Sequence, residues 1–245
     1  MQIQTKGIIL KQTKTINDRK ILVMFSQEYG KISVAAGNTY SQKKNKTSLA
    51  YRPFTLGRYD LFKGRELYNI NRAETIHSYF KIGEDVEKYM HASYILEFVS
   101  VFLIENEPMP KLFQLLTDFF EIMEERSKEY LFLVRAFQLQ LLDIAGYAPV
   151  LHHCVVCGKE DEVYVFDPKE GGLVCQACRK NSGLIYSIDS AIIDKIKYMI
   201  STPLKRMGKL YLDEQSLEKI SELLKTYFSY HLDIQELKSE SFLTI

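Results

Sequence analysis

The 245-residue sequence contains no long hydrophobic run. A helix that crosses a bilayer needs roughly 18 or more consecutive apolar residues. The nearest approach, Tyr94 to Ile104, already contains Glu97. The chain opens with polar residues, Met1 to Lys6, rather than with the apolar core of a secretory signal peptide. We therefore expect a cytoplasmic protein that makes no contact with a membrane.

The sequence also lacks the short motifs of common enzyme classes. It has no Gly-x-x-x-x-Gly-Lys-Ser/Thr phosphate loop, no Gly-x-Ser-x-Gly elbow and no His-Glu-x-x-His helix. His77, His91 and His231 are scattered along the chain and have no visible nucleophile partner. The paired acids fall on predicted helix surfaces or helix starts, where acids are expected in any protein. We therefore expect no catalytic residues.

Cysteine is scarce, and the four cysteines form two Cys-x-x-Cys pairs. Cys154 and Cys157 make the first pair, Cys175 and Cys178 make the second, and seventeen residues separate the pairs. This spacing is typical of a four-cysteine zinc site, in which each pair presents two thiolates from one tight turn. Four sulfur ligands fill a tetrahedral shell and leave no position for water or substrate. The predicted Zn²⁺ is therefore structural.

Other uses of the cysteines remain open. Two disulfides are possible, but they are typical of secreted proteins, and the chain has no signal peptide. A dithiol redox site would need one pair in a thioredoxin-like βαβ context, which the sequence does not suggest. His152 and His153 adjoin the first pair and could replace a ligand. With four thiolates available, we interpret both histidines as surface loop residues.

The net charge of +1 conceals a strong asymmetry along the chain. Residues 1–76 carry fourteen Lys and Arg against five Asp and Glu, a net charge of +9. Residues 77–145 carry −6, and residues 146–245 carry −2. A basic amino-terminal third beside an acidic remainder indicates a polyanionic partner at one end of the molecule.

Five short β-like runs, separated by turn residues, lie in the first eighty residues and favour a small barrel. The segment between the third and fourth runs is polar, basic and longer than a hairpin needs, which is typical of a functional or disordered loop. The predicted strands are Gly7–Gln12, Lys20–Ser26, Lys31–Ala36, Phe54–Lys63 and Leu67–Ala73.

The hydrophobic period changes from two to 3.6 near Ile82, which indicates helices. The second predicted helix is amphipathic, with its apolar residues on one face between Leu112 and Met123. The zinc module follows the third helix, and two further helices are expected to rejoin the first three in one bundle. The predicted helices are Glu84–Glu105, Leu112–Met123, Glu129–Ile144, Ser187–Ser201 and Glu214–Tyr230. The predicted domains are a DNA-binding barrel (1–80), a first helical part (81–149), the zinc module (150–183) and a second helical part (184–245).

Several segments resemble the bacterial recombination mediator family RecO. The run "GIILKQTKTINDRKILVMFSQEYGKISVAAG" resembles its first three barrel strands, and "PFTLGRYDLFKGRELYNINRAETI" resembles the fourth and fifth. The segments "AGYAPVLHHCVVCG", "FDPKEGGLVCQAC", "PLKRMG" and "YHLDIQELKSESFL" resemble the carboxy-terminal half of the family. The resemblance covers nearly the whole chain, although the central helices match by pattern only.

The resemblance implies an α+β fold, in which a five-stranded oligonucleotide/oligosaccharide-binding (OB) barrel precedes an α-helical bundle with an inserted four-cysteine zinc knuckle. It implies a nucleoid-associated protein that binds single- and double-stranded DNA and anneals complementary strands. It also implies three protein partners: RecR, the acidic carboxy-terminal tail of single-stranded-DNA-binding protein, and RecA indirectly. The sequence departs from the family where a basic "AKGAR"-like turn is usual, since it reads Ala35 to Thr39 as "AAGNT".

OB barrels commonly bind single strands with cations that follow the phosphates and with aromatic rings that stack bases. Each single cation is equally well explained as a solvated surface charge, and Tyr29, Tyr59 and Phe62 as members of the barrel core. The DNA-binding candidates are the cations Lys11, Arg19, Lys31, Lys43, Lys44, Lys46, Arg52 and Arg65 and the stacking residues Tyr40 and Tyr51.

Two functions compete with a DNA-binding mediator. One is a protein-only adaptor stabilised by zinc, which leaves the basic third unexplained. The other is a zinc-dependent nucleic-acid enzyme, which four cysteine ligands disfavour because a catalytic zinc needs an open position. Lys205 and Arg206, in "PLKRMG", are candidates for binding the acidic tail of single-stranded-DNA-binding protein. A basic loop between two helices explains these two residues equally well.

Overall fold

A computed structural model describes residues 2–14, 20–36, 49–65, 67–160, 164–179, 185–207, 212–234 and 237–243. The chain divides into two compact units. The first comprises Met1–Tyr130 and Leu237–Leu243, and the second comprises Leu131–Glu236 and Thr244–Ile245. The predicted domain boundaries near residues 80, 149 and 183 remain predictions.

Five strands in the first unit close into a barrel with the spatial order β1-β2-β3-β5-β4. Strands β3 and β5 pair in parallel, and the other neighbours pair antiparallel. This five-stranded Greek-key barrel is an OB-fold, which confirms the predicted fold class. The strands are β1 (Gln2–Lys14), β2 (Lys20–Ser26), β3 (Gly30–Ala36), β4 (Thr55–Lys63) and β5 (Tyr68–Ser78).

Strands β1 and β5 are longer than the sequence predicts. Their extra residues are largely polar, yet β1 pairs with β4 from Gln2 onward, and β5 pairs with β4 as far as Ser78. Strand β4 alternates strictly, with Tyr59 and Leu61 completely buried between outward-facing neighbours. Pairing with β4 therefore makes β1 and β5 longer than the hydrophobic pattern of their own sequences predicts.

Two helices complete the first unit, α1 (Val86–Phe102) and α2 (Pro110–Glu125). The Asp85 carboxylate caps α1 by accepting a hydrogen bond from the Lys88 amide, as expected of an N-cap. Phe113 of α2 packs edge to face on Phe25 of β2, with ring centroids 5.3 Å apart. The helices therefore cover part of the outer face of the barrel.

The second unit contains α3 (Tyr130–Ile144, whose first residue belongs to the first unit), α4 (Ser190–Ser201) and α5 (Glu214–His231). A three-stranded sheet, in the order β7-β6-β8, comprises β6 (Tyr164–Asp167), β7 (Gly172–Cys175) and β8 (Tyr186–Ser187). Buried Gln140 of α3 donates to two carbonyl oxygens at the end of α4, those of Met199 (2.9 Å) and Thr202 (2.6 Å).

The five helices lie close to their predicted positions, and α2 has the predicted amphipathic pattern. Helices α1 and α2 belong to the barrel's unit, whereas nearly all of α3, with α4 and α5, belongs to the other. The predicted joining of all five helices in one bundle remains a prediction. The apolar residues of α1 and α2 predict that both helices are buried, but they do not predict which other element covers them. Within the described residues, no helix is both long and apolar enough to cross a membrane.

Candidate metal centre and nucleic-acid interface

The first cysteine pair lies in a tight turn that closes on itself. The Gly158 amide donates to the Cys154 carbonyl oxygen at 2.8 Å, and Gly158 adopts a φ of +73°, which favours glycine. The second pair closes in the same way, since the Cys178 amide donates to the Cys175 carbonyl oxygen at 3.1 Å. Each pair is therefore a knuckle that holds its two side chains together.

The β6–β7 hairpin brings the second knuckle to the first. Cys175 ends β7 opposite Tyr164 of β6, and the Val155 amide in the first knuckle donates to the Leu173 carbonyl oxygen at 2.8 Å. Gly172 permits this approach, because a Cβ there would lie 2.4 Å from the Val150 carbonyl oxygen. Strand pairing, rather than the cysteines alone, thus positions the two pairs.

The four sulfurs lie within 4.8 Å of one another. The Sγ atoms of Cys157 and Cys175 are 3.8 Å apart, and a tetrahedral site with Zn–S distances of about 2.3 Å places its sulfurs about 3.8 Å apart. The Cys175 amide also donates to Cys154 Sγ at 3.3 Å. Cys154 and Cys175 are buried, whereas Cys157 is exposed. This arrangement can hold a metal ion.

The electrostatics of the cluster favour a cation. Burial opposes ionisation of Cys154, but hydrogen bonds from the backbone amides of Cys175, Cys157 and Val156 outweigh it and lower its pKa to about 6. The pKa of Cys178 is raised to about 12, because its thiol hydrogen-bonds to the sulfurs of Cys175 and Cys157. Sulfurs this close cannot all ionise without compensation, and a dication would supply it.

His152 and His153 are both exposed, as predicted. Among the described residues, the only group of three or more His, Cys, Asp and Glu side chains arranged for a metal consists of the four cysteines. His231 is used differently. Its Nε2 lies 2.6 Å from the Pro168 carbonyl oxygen, and its ring packs on Tyr227 with centroids 4.2 Å apart. Helix α5 is thereby attached to the β6–β7 turn.

The predicted DNA-binding cations have different environments. Lys11 on β1, Arg52 before β4 and Arg65 after it are exposed. Lys31 on β3 is half-buried, and its ammonium group donates to the Ser100 carbonyl oxygen in the last turn of α1 at 2.9 Å. Lys31 therefore caps a helix carboxy-terminus instead of presenting a free charge. Five of the candidates, Arg19, Tyr40, Lys43, Lys44 and Lys46, lie outside the described residues.

The aromatic candidates also differ from expectation. Tyr51 is 9% exposed and belongs to the barrel core, so its ring has no open face for a base. Tyr59 is fully buried and Tyr29 packs partly against the core, whereas Phe62, expected in the core, is 46% exposed. The strict alternation of β4 carried this signal, because Phe62 shares the outward face with Arg58.

Sequence reasoning also passed over several exposed cations. Lys6 of β1 faces Arg58 of β4 in the strand register, and both side chains are exposed. Lys63 is exposed at the end of β4. Lys6 and Arg58 alternate with core residues, so a two-residue period would have located both on the outer surface. Lys63 has the parity of buried Tyr59 and Leu61, so the period alone would have placed it inside.

Models of one protein family match both halves of the chain. The model described as "Recombination protein O N terminal" matches residues 1–79, and "Recombination protein O C terminal" matches residues 83–241. The chain belongs to the RecO family. The boundary between the two RecO matches falls between the end of β5 and the start of α1.

Curated RecO proteins align with nearly the whole chain. The DNA repair protein RecO of Alkaliphilus metalliredigens is 30% identical over 95% of this chain and 95% of its own length. That of Pelotomaculum thermopropionicum is 31% identical over 97% of this chain and 91% of its own. The DNA repair protein RecO of a Thermoanaerobacter species is 28% identical over 98% of this chain and 96% of its own length. The RecO family is one of DNA repair and recombination.

The candidate for partner binding lies in the second unit of this RecO-family chain. Lys205 and Arg206 occupy a 3-10 turn, Leu204–Arg206, that follows α4, and both side chains are exposed. Leu204 is buried and anchors the turn. The geometry leaves the role of the two cations as a prediction.

Proposed function

We propose that this RecO-family chain is a non-enzymatic DNA-binding mediator of recombinational repair. In this proposal it binds single- and double-stranded DNA and anneals complementary strands. Together with RecR, it helps to load RecA onto DNA coated by single-stranded-DNA-binding protein. The observation that carries the proposal is family membership over nearly the whole chain, combined with an OB barrel formed by described residues of its basic third.

The proposed DNA interface is the exposed surface of the barrel. Lys11, Arg52 and Arg65 supply exposed positive charge, and Phe62 supplies an exposed ring. Cations that follow the phosphates, with rings that stack bases, suit binding that is independent of sequence. Lys31 and Tyr51 are left out, because one is held by α1 and the other is in the core.

The test is a fluorescence anisotropy titration with labelled single-stranded DNA at several salt concentrations. Binding through Z phosphates gives a log–log slope of about −0.7Z, so we expect affinity to fall steeply with salt. Double-stranded DNA should behave in the same way with its own slope. A chain that binds neither DNA would instead be the protein-only adaptor.

We further propose that the cysteine cluster holds one structural Zn²⁺. A tetrahedral set of four sulfurs suits zinc or iron, and zinc is the usual ion for two Cys-x-x-Cys knuckles. When bound, the ion would neutralise the clustered thiolates and hold the two knuckles together. Elemental analysis of purified protein should find zinc at one equivalent per chain, and iron in its place would contradict this assignment.

The proposed partners follow from the family and from the exposed turn. RecR and single-stranded-DNA-binding protein would bind the chain directly, and RecA would act on the DNA that is exposed. Lys205 and Arg206 are proposed to bind the acidic tail of the single-stranded-DNA-binding protein, since exposed cations on an anchored turn suit carboxylates. The proposed place of action is the nucleoid, in the cytoplasm.

A further inference from the structure

A pocket of 370 Å³ lies at one end of the barrel, within the first unit. It is lined by residues of the β2–β3 turn, the β4–β5 turn and the connection between α1 and α2. Ligand pockets span about 300 to 1,000 Å³, so this one suits a single small group such as one nucleotide. The residues that give it chemical character are Glu28, Tyr29, Lys63, Arg65 and Tyr68.

The walls of the pocket are held by short backbone contacts. Gly30 adopts a φ of +69°, and a Cβ there would lie 2.1 Å from the Glu107 carbonyl oxygen. The Asn106 amide donates to the Lys31 carbonyl oxygen at 3.0 Å, which fixes the α1–α2 connection to β3. On the opposite side, the Gly64 amide donates to the Leu67 carbonyl oxygen at 2.9 Å. The pocket is thus preformed, which reduces the ordering required of it on binding.

Two aromatic rings and two cations line this pocket. Tyr29 and Tyr68 pack partly against the barrel core, so their rings are supported while they line the pocket. Lys63 and Arg65 are exposed, and neither forms an ion pair with an acid in the described part of the chain. Supported rings suit a nucleobase, and adjacent cations suit the phosphate attached to it.

Glu28 distinguishes the pocket from a simple anion site. The Thr5 hydroxyl donates to Oε2 of Glu28, which ties the carboxylate to β1. An ionised carboxylate only accepts hydrogen bonds, and its charge repels phosphate. The part of the ligand that lies next to Glu28 must therefore carry a hydrogen-bond donor. The exocyclic amine of cytosine is such a donor, whereas thymine presents a carbonyl oxygen at the same position.

We propose that this pocket binds one nucleotide of a DNA strand and prefers cytosine to thymine. The base lies against Tyr29 and Tyr68, its phosphate is held by Lys63 and Arg65, and its exocyclic amine donates to Glu28. The site rests on the proposed DNA binding and adds a base preference to an otherwise sequence-independent interface.

The experiment compares labelled single strands of deoxycytidine and of deoxythymidine, equal in length, by anisotropy in mildly alkaline buffer. The full chain should bind the cytidine strand about threefold to tenfold more tightly, the range expected for one hydrogen bond that replaces hydrogen bonds to water at an exposed group. Glu28→Gln keeps an acceptor for Thr5 but offers an amide to the base, so the preference should disappear while both strands still bind. Glu218→Gln, which neutralises an exposed acid on α5, is the matched control and should keep the preference.

The outcomes separate this site from the proposed function. No binding of either strand would overturn DNA binding itself. Equal binding of the two strands by the unmodified chain would overturn the nucleotide site and leave the proposed function standing. A preference that survives Glu28→Gln, or that Glu218→Gln also removes, would show that this pocket does not read the base.

Discussion

At the scale of single residues, Cys175 has two structural tasks. Its backbone pairs with Tyr164 in the β6–β7 hairpin, and its amide donates to Cys154 Sγ at 3.3 Å. Its side chain is 3% exposed and supplies one of the four clustered sulfurs. Cys175 therefore belongs both to the strand that positions the second knuckle and to the set of ligands proposed for the ion that holds the two knuckles together.

Replacing Cys175 by Ser should weaken zinc binding and loosen the zinc module. Three thiolates remain, and the loss of a ligand removes part of the binding free energy that stabilises a small metal module. Elemental analysis and amide hydrogen exchange over residues 150–179 would measure both effects. His153→Ala, at an exposed neighbour of the cluster, should change neither. Full zinc occupancy with unchanged exchange in Cys175→Ser would contradict the proposed site.

Lys31 is the residue at which structure and sequence assign different tasks. Its ammonium group is held by the Ser100 carbonyl oxygen, near the negative end of the α1 dipole. Lys31→Ala should lower the free energy of unfolding by about 1 kcal/mol, since it removes a charged hydrogen bond at a helix terminus. Denaturant unfolding would measure the loss.

Lys31→Ala also distinguishes a structural role of Lys31 from a direct contact between Lys31 and DNA. If Lys31 only caps α1, the salt slope of DNA binding should stay unchanged in Lys31→Ala. Lys11→Ala, at an exposed cation on β1, should show the reverse pattern, with unchanged stability and a shallower slope. A shallower salt slope of DNA binding in Lys31→Ala would instead indicate that Lys31 contacts DNA.

At the scale of elements, the segment Leu237–Leu243 belongs to the barrel's unit although it follows the second unit in sequence. The Ser239 amide donates to Glu97 Oε2 of α1 at 2.9 Å, and the Ser239 hydroxyl donates to the same oxygen. Partial burial tends to raise the pKa of Glu97, but these hydrogen bonds outweigh it and lower the pKa. The ionised carboxylate therefore anchors the segment to α1.

Ser239→Ala should raise the Glu97 pKa towards its ordinary value and destabilise the protein at neutral pH. A lowered pKa in the folded state stabilises the fold above the unfolded-state pKa, and this contribution is lost as pH falls through the folded-state pKa. The stability difference between the variant and the unmodified chain should therefore be greatest near neutrality and shrink in acid. Carboxyl NMR titration and denaturant unfolding at several pH values would measure both quantities.

Ser241→Ala provides the control for this anchor. Its hydroxyl donates to the Lys238 carbonyl oxygen within the same segment and has no hydrogen bond to Glu97. It should leave the Glu97 pKa in place. A stability loss in Ser239→Ala that is independent of pH would mean that packing, rather than the carboxylate, holds the segment.

At the scale of the whole molecule, the barrel is formed by described residues of the basic third of the chain, so DNA affinity should depend on charges there. Replacing Lys11, Arg52 and Arg65 together by Ala should make the log–log salt slope for single strands shallower by up to about two units if all three contact phosphate. The control replaces Lys128, Lys169 and Lys219, three exposed lysines outside the barrel, by Ala. Equal effects from both triple variants would point to nonspecific attraction.

Mediator activity should also depend on the second unit. Acting on coated DNA requires contact with the coating protein as well as with the strand, and two tethered contacts raise each other's effective concentration. Lys205→Ala combined with Arg206→Ala should therefore anneal naked strands normally but fail on strands coated by single-stranded-DNA-binding protein. Annealing kinetics on both substrates would measure this, and equal activity on coated strands would remove these residues from the proposed interface.

Much of this architecture could be predicted from local pattern. The two-residue alternation of Tyr59 and Leu61 located β4, and the helical period from Leu112 to Met123 located α2. The spacing of the cysteines predicted their clustering, because the Cys-x-x-Cys turns and the short hairpin between them are local structures. In each case the residues that decide the structure are close in sequence.

The sequence by itself thus determined the strands, the helices, the cysteine cluster and the family of this protein. Only the tertiary structure decided which candidates can serve a surface site. Lys31 meets a carbonyl oxygen 69 positions away, and Tyr51 lies in the core. It also decided that α1 and α2 share a unit with the barrel. Local periodicity specifies which face of an element is apolar, but the partner that covers this face depends on packing between residues distant in sequence.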